Sequence, residues 1–253
     1  CEDRLAETLP SSAKKAIEVL EHAGKQAYVV GGFVRDAILG RPCHDVDIAT
    51  DALWYHTREH FLEAGYRVIE TGSAHGTVTV LIDGDPIEIT TYRTDGTYSD
   101  HRRPDSVRFV KNIEEDLARR DFTVNAVAWN PTRGLVDPFD GVSDMARGLI
   151  RCVGEPFGRF DEDALRIMRG VRFSAQLSFA VDAATAAAIH ATAPSLSSVA
   201  VERIAQEYGK IVEAPFAVDA LRAFPDVVAM AVPHVAPMVG FDQKSRWHCY
   251  DVW

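Results

Sequence analysis

The sequence has no apolar run approaching the ~18–20 residues that a helix needs to cross a bilayer, and no basic-then-apolar leader stands at its start. Cysteine is scarce. The four present (Cys1, Cys43, Cys152, Cys249) are scattered without a CxxC pair, so free thiols in a cytoplasmic protein are expected rather than a disulfide framework. No GxSxG, Walker A or HExxH occurs, which removes the nucleophile-elbow hydrolases, the P-loop enzymes and the zincins. Positive charge is in deficit, with 27 Lys plus Arg against 37 Asp plus Glu and a net charge of -10. That balance argues against a protein that coats nucleic acid indiscriminately, but it leaves room for a local basic groove.

What is present is an ordinary globular composition, 47% apolar and 25% charged over 253 residues. Such a chain makes one large domain or two modest ones. The first half mixes strands and helices. Apolar spacing predicts a helix over residues 13–23, stopped by Gly24, and the run Ala27 to Val30 before Gly31-Gly32 reads as a buried strand. A short helix from Phe33 is expected to stop at Gly40. Val46 and Ile48 alternate with Asp45 and Asp47 as a strand with one polar face. Residues 54–64 look helical, and residues 77–82 and 86–92 form a hairpin through Asp83-Gly84-Asp85. Residues 94–106 read as a long functional loop, and a short helix is expected over 122–129. From Asp161 onward the pattern is helical, punctuated by prolines. The chain starts on Cys1 and stops at Trp253 without a capping or turn signal, and it reads as a piece of something longer.

Two segments could bind a nucleotide. A strand ending in Gly31-Gly32 before a helix lets backbone N–H groups approach an anion, and Arg35 can reach phosphate as a planar fork; a tight turn is the plainer explanation. Asp45 and Asp47, two apart on a strand, point the same way and repel each other unless a cation intervenes. Hard oxygen ligands of this kind suit Mg²⁺, which takes a few carboxylates together with substrate phosphates. A solvated strand face is the alternative for a lone pair, and Glu88 is a candidate third carboxylate from a neighbouring strand.

Two further segments are charged. Arg119-Arg120-Asp121-Phe122-Thr123-Val124-Asn125-Ala126 could be no more than an exposed turn with Asp121 capping a helix. Asp163, Arg166, Arg169 and Arg172 recur every three residues along an expected helix. They serve either as ion pairs on a wet face, worth about 0.3–0.5 kcal/mol each, or as donor and acceptor edges for a nucleobase. His44 beside Cys43 does not make a catalytic pair, because adjacent strand residues point apart. His248 and Asp251 lack further ligands.

Taken in order, these segments resemble the class II tRNA nucleotidyltransferases and the related bacterial poly(A) polymerases. The resemblance also takes in Tyr98 to Asp105, similar to a flexible loop of the family, and Asp137 to Asp144. It implies an α+β chain with a polymerase-β-like head on a small mixed sheet over residues 1–148. An all-helical neck and body would follow over 149–240, and an HD-type domain would begin at 241–253.

The same resemblance implies site roles. Asp45 and Asp47 would hold catalytic Mg²⁺, Gly32 and Arg35 would contact the triphosphate, and Arg120 with Asp121 and Asn125 would grip ribose and phosphates. Asp163 and Arg166 would read the Watson–Crick edges of CTP and ATP, with Arg169 and Arg172 lining the pocket. Cytosine and adenine each set an exocyclic amine beside a ring acceptor, so one Asp/Arg couple serves both; guanine and uracil reverse that pattern and would leave buried groups unpaired, at about 1–3 kcal/mol each. The expected activity is CCA addition to the tRNA 3′ end with release of diphosphate. Poly(A) polymerase and CC- or A-adding enzymes are the alternatives within the family. An inactive RNA-binding protein is disfavoured by Asp45 and Asp47, and a dinucleotide oxidoreductase by the absence of GxGxxG.

Overall fold

Ala27–Val30 forms β1, and all four of its residues are buried. A continuously apolar strand belongs in the middle of a sheet with both faces covered. In the computed structural model, which describes residues 2–43, 45–96 and 107–241, β1 takes that place. Around it the chain lays down β2 (Asp47–Thr50), β3 (Arg67–Gly72), β4 (Thr77–Ile82), β5 (Asp85–Thr91), β6 (Arg93–Asp95), β7 (Val107–Phe109), β8 (Ala128–Asn130) and β9 (Gly134–Val136). Seven of these make one mixed sheet in the order β3-β4-β5-β2-β1-β8-β9, with β2 and β5 parallel and the other neighbours antiparallel. The β4–β5 hairpin turns on Asp83 and Gly84, both at positive φ, as a two-residue link of the primed type requires.

Helices α1 (Glu2–Thr8), α2 (Ser11–His22), α3 (Gly32–Leu39), α4 (Trp54–Glu63), α5 (Ile113–Ala118) and α6 (Gly141–Arg147) accompany this sheet. The buried stripe of α2 is Ala13, Ala16, Ile17 and Leu20, the helical spacing read from sequence. Phe61 from α4 and Ile48 and Ile89 from the sheet are fully or almost fully buried. Side chains of that size stabilise the fold by about 1.5–3 kcal/mol each.

The structure corrects several expectations. Residues 122–129 do not form a helix. One 3₁₀ turn covers Thr123–Asn125, and the chain then extends as β8, where Trp129 and Ala128 pair with Val29 and Val30 of β1. The backbone groups of β1 needed a partner on that side, and satisfying them outweighs weak local helix propensity. Residues 94–95 are not loop either, since β6 pairs with β7 as a short ribbon. The rest of the predicted loop, 97–106, lies outside the described residues, as do His44, the stretch 243–253 and the proposed HD-type entry.

The chain divides after Arg147 into two compact units. The second is built from α7 (Pro156–Glu162), α8 (Leu165–Leu177), α9 (Ala183–Thr192), α10 (Val201–Val212), α11 (Ala217–Ala223) and α12 (Pro225–Ala231), with one small parallel ladder of β10 (Leu149–Ile150) and β11 (Ala180–Val181). Carboxylates start two of these helices. Glu155 accepts from the N–H groups of Phe157 and Gly158, and Asp182 from those of Ala184 and Thr185. Among the described residues no helix is long and apolar enough to cross a membrane.

Candidate active site

Register places the first group of residues. β1 and β2 run antiparallel with Val30 opposite Asp47, so the Gly31-Gly32 turn that leaves β1 stands at the same end of the sheet as the start of β2. The parallel pairing of β2 with β5 sets Glu88 opposite Asp47. Asp45 precedes β2 rather than lying within it, a small correction to the strand expected there. Gly31 has φ 70° and ψ -131°, a conformation that only glycine adopts without strain. A Cβ built on it would lie 3.1 Å from Nη1 of Arg120.

The electrostatics of Asp47 follow from this crowding. Asp47 is exposed as a residue, yet desolvation by the protein around its carboxyl pushes the pKa above its ordinary value, the nearby charge of Glu88 adds to the effect, and that of Asp45 adds further. Arg120 opposes the rise. Three carboxylates and one guanidinium therefore share a field beside the glycine turn. Nε of Arg120 is buried without a hydrogen-bond partner, and its Nη1 is the atom that faces Gly31.

The Arg119–Ala126 segment is held in place by buried polar contacts. Asp121 caps no helix. Its Oδ1 accepts from the N–H of Phe122 (2.9 Å) and from Nδ2 of Asn125 (3.3 Å). Asn125 Oδ1 in turn accepts from Nη1 of Arg35 at 2.7 Å. The remaining fork of Arg35 engages the carboxylate of Asp36 through Nε and Nη2, both at 2.9 Å. Arg35, expected to face phosphate, is thus drawn inward as a brace between α3 and Asn125, with 9% of its surface exposed. Thr123 donates to the buried Asp144 at 2.6 Å. Gly141 packs so tightly on the Thr123 carbonyl that no side chain fits between them. The acidic run from Asp137 to Asp144 therefore buttresses the site from behind, and Asp137 caps α6 through the N–H groups of Gly141 and Val142.

Asp116 was not singled out by sequence reasoning. It is fully buried and binds Nε of Arg119 (2.9 Å) and Nη2 of Arg120 (3.1 Å). Burial alone would raise its pKa, but the two guanidinium groups outweigh that cost and hold the carboxyl below its ordinary range. An acid three and four residues before a pair of arginines was the available signal.

In the helical unit Arg166, Arg169 and Arg172 share α8, as expected, whereas Asp163 lies before it. Asp163 has an extended backbone, φ -142° and ψ 104°, and separates α7 from α8. Its Oδ1 accepts from the N–H of Leu165 (3.0 Å), and its Oδ2 from Nη2 of Arg203 (3.1 Å), a partner 40 residues away that no local pattern reveals. Arg166 pairs with Glu162 at 2.5 Å. Arg169 lies over the ring of Phe173, 5.4 Å from its centre. Arg172 stacks on the same ring at 4.2 Å and binds Glu207 of α10 at 2.6 Å, with both side chains largely buried. Arg172 thus joins two helices.

Comparison with known proteins agrees with both units. The profile described as "Poly A polymerase head domain" matches residues 27–151, and that described as "Probable RNA and SrmB- binding site of polymerase A" matches 178–227. A CCA-adding enzyme of Geobacillus thermodenitrificans is 50% identical over 231 residues, 91% of this chain and 55% of the relative. One of Leuconostoc citreum is 46% identical over 243 residues, 95% of this chain and 58% of the relative. The chain belongs to the family of CCA-adding enzymes and poly(A) polymerases. Among solved members of that family, the Bacillus stearothermophilus CCA-adding enzyme in complex with CTP superimposes with a TM-score of 0.77 at 46% identity, covering 84% of this chain and 51% of its own. The Thermotoga maritima CCA-adding enzyme complexed with tRNA gives 0.76 at 26% identity, covering 92% and 55%. The chain therefore spans a little over half the length of the CCA-adding enzymes it matches. Members of this family use a divalent metal. Among the described residues no three or more His, Cys, Asp or Glu side chains are grouped so that together they could hold a metal ion. Asp45 and Asp47 offer carboxylate oxygens, with the negative charge of Glu88 near Asp47, and that donor chemistry fits a hard divalent cation.

Proposed function

We propose that this chain carries the nucleotidyltransferase head (residues 1–148) and the helical neck and body (149–240) of a cytoplasmic CCA-adding enzyme. The enzyme transfers CMP and AMP from CTP and ATP to a tRNA 3′ end. The observation that carries this reading is the convergence, at one end of the sheet, of the Gly31-Gly32 turn, Asp47 with Glu88 and Asp45 in its field, and the partly unsatisfied guanidinium of Arg120.

The chain's own groups divide the work. The N–H groups at Gly31-Gly32 and the start of α3 donate to triphosphate oxygens, and the guanidinium of Arg120 beside Gly31 adds positive charge for them. Arg35 acts through Asn125, fixing the side chain that with Asp121 meets the ribose. Mg²⁺ held by Asp45 and Asp47 would supply charge neutralisation on the phosphates and lower the pKa of the attacking 3′-hydroxyl. Asp163 and Arg166 supply the acceptor and donor edges for the base. Arg169 stays near them on α8, whereas Arg172 supports the helix.

The test is a single-nucleotide ladder with the full-length protein on tRNA transcripts that end before the tail, after one C and after two. Addition of two C from CTP alone, and of one A from ATP only onto the CC end, is the expected result. Long A tracts from ATP would instead assign a poly(A) polymerase, and addition of C alone or A alone a partial enzyme.

A further inference from the structure

The proposed function leaves unexplained why a fully buried carboxylate should hold two arginines and a backbone N–H at once. Oδ1 of Asp116 accepts from the backbone N–H of Arg93 (3.2 Å) and from Nε of Arg119, and Oδ2 accepts from Arg120. Arg93 opens β6, the first strand of the ribbon that closes with Val107–Phe109. The same strand ends on Asp95, whose carboxylate lies 3.7 Å from both Arg119 and Arg93. One carboxylate therefore ties the root of the β6–β7 ribbon to the guanidinium that stands over Gly31 and tempers the charge of Asp47.

We infer that Asp116 is a positioning residue. It sets the place of Arg120 against the incoming triphosphate and refers that place to the ribbon root, so that displacing Arg93–Asp95 changes the grip on the nucleotide. The inference rests on the nucleotide site proposed above. Geometry favours it over plain packing. A carboxylate needed only to neutralise Arg119 would not require its second oxygen on Arg120, and Arg120 turns its Nη2 to Asp116 while its Nε stays unpartnered. A neutral amide of the same shape cannot accept from both arginines, because its –NH₂ must face one of them.

The experiment measures equilibrium binding of CTP and single-turnover CMP addition for the full-length parent and Asp116→Asn. The dissociation constant of CTP should rise about 10- to 100-fold, the range implied by loss of one charge-assisted hydrogen bond. The rate at saturating CTP should change by less than about threefold, since the chemistry is untouched. An unchanged dissociation constant, or a loss confined to the rate, would overturn the inference. Should Asp116→Asn fail to fold, the cycle of Asp95→Asn with Arg120→Lys decides. A combined rise in the dissociation constant smaller than the product of the single effects supports a linked ribbon and Arg120, and a simple product contradicts it. A parent that binds CTP yet adds no CMP to any of the three tRNA ends refutes the proposed function and leaves the binding arm to judge Asp116 alone.

Discussion

The charged series of the helical unit and the carboxylates at the sheet end of the first unit treat charge in opposite ways. In the helical unit each member of the charged series meets an opposite partner or an aromatic face: Arg166 has Glu162, Asp163 has Arg203, Arg172 has Glu207, and Arg169 lies over Phe173. In the first unit like charges gather. Burial, the charge of Glu88 and that of Asp45 raise the cost of ionising Asp47, and Arg120 offsets only part of it. A region neutralised from within can hold a shape and present fixed hydrogen-bonding edges. A region left with uncompensated negative charge beside amide donors is poised for a cation and an anion together. Under the proposed function, the contrast would give selection to one unit and chemistry to the other.

Several experiments break or sharpen that contrast. The largest effect is expected for Asp45→Ala. Incorporation should fall by about a thousandfold or more, equivalent to roughly 4 kcal/mol of barrier, while tRNA affinity in a filter assay stays nearly unchanged. Full activity in that variant would end the metal-assisted reading. In the helical unit, Glu207→Leu leaves Arg172 buried without its anion and should lower unfolding stability by about 3 kcal/mol, read as a denaturant midpoint at constant slope. Gly141→Ala drives a methyl into the Thr123 carbonyl, and the overpacking should cost about 1–3 kcal/mol. Activity there should fall only as far as the folded fraction does. The pH profile gives a smaller signal. The folded pKa of Asp116 is depressed, so its stabilisation is complete above the ordinary carboxylate range and is lost as pH falls through the folded value. The stability gap between the parent and Asp116→Asn should therefore be widest near neutrality and narrow below about pH 4. Lys15→Ala removes a half-exposed pair with Asp83 and should leave the thermal midpoint where it is.

Much of the first unit could be read from sequence because its signals are local. The run Ala27 to Val30, the glycine stop at Gly40 and the Asp83-Gly84 turn each encode their own geometry within a few residues. The segment 122–129 was misread because its extended form is set by the vacant side of β1, a contact made across about 100 residues of chain. The helical spacing of Asp163, Arg166, Arg169 and Arg172 misled for a related reason. Period alone does not show that α7 ends at Glu162 and that Asp163 turns to Arg203. Asp45, Asp47 and Glu88 were legible as carboxylates, and strand register supplied what sequence could not, the pairing of Asp47 with Glu88 and its alignment with Val30. Asp116 went unnoticed because it is one of three consecutive acids in a short helix, and only the fold shows which of them turns inward to Arg119 and Arg120.

The most direct measurement is a crystal of the full-length protein soaked with magnesium and a non-hydrolysable CTP analogue. The account predicts cation density between the carboxylates of Asp45 and Asp47, with phosphate oxygens against the amides of Gly31-Gly32 and the guanidinium of Arg120. Triphosphate density elsewhere, with both aspartates turned from it, would contradict the account.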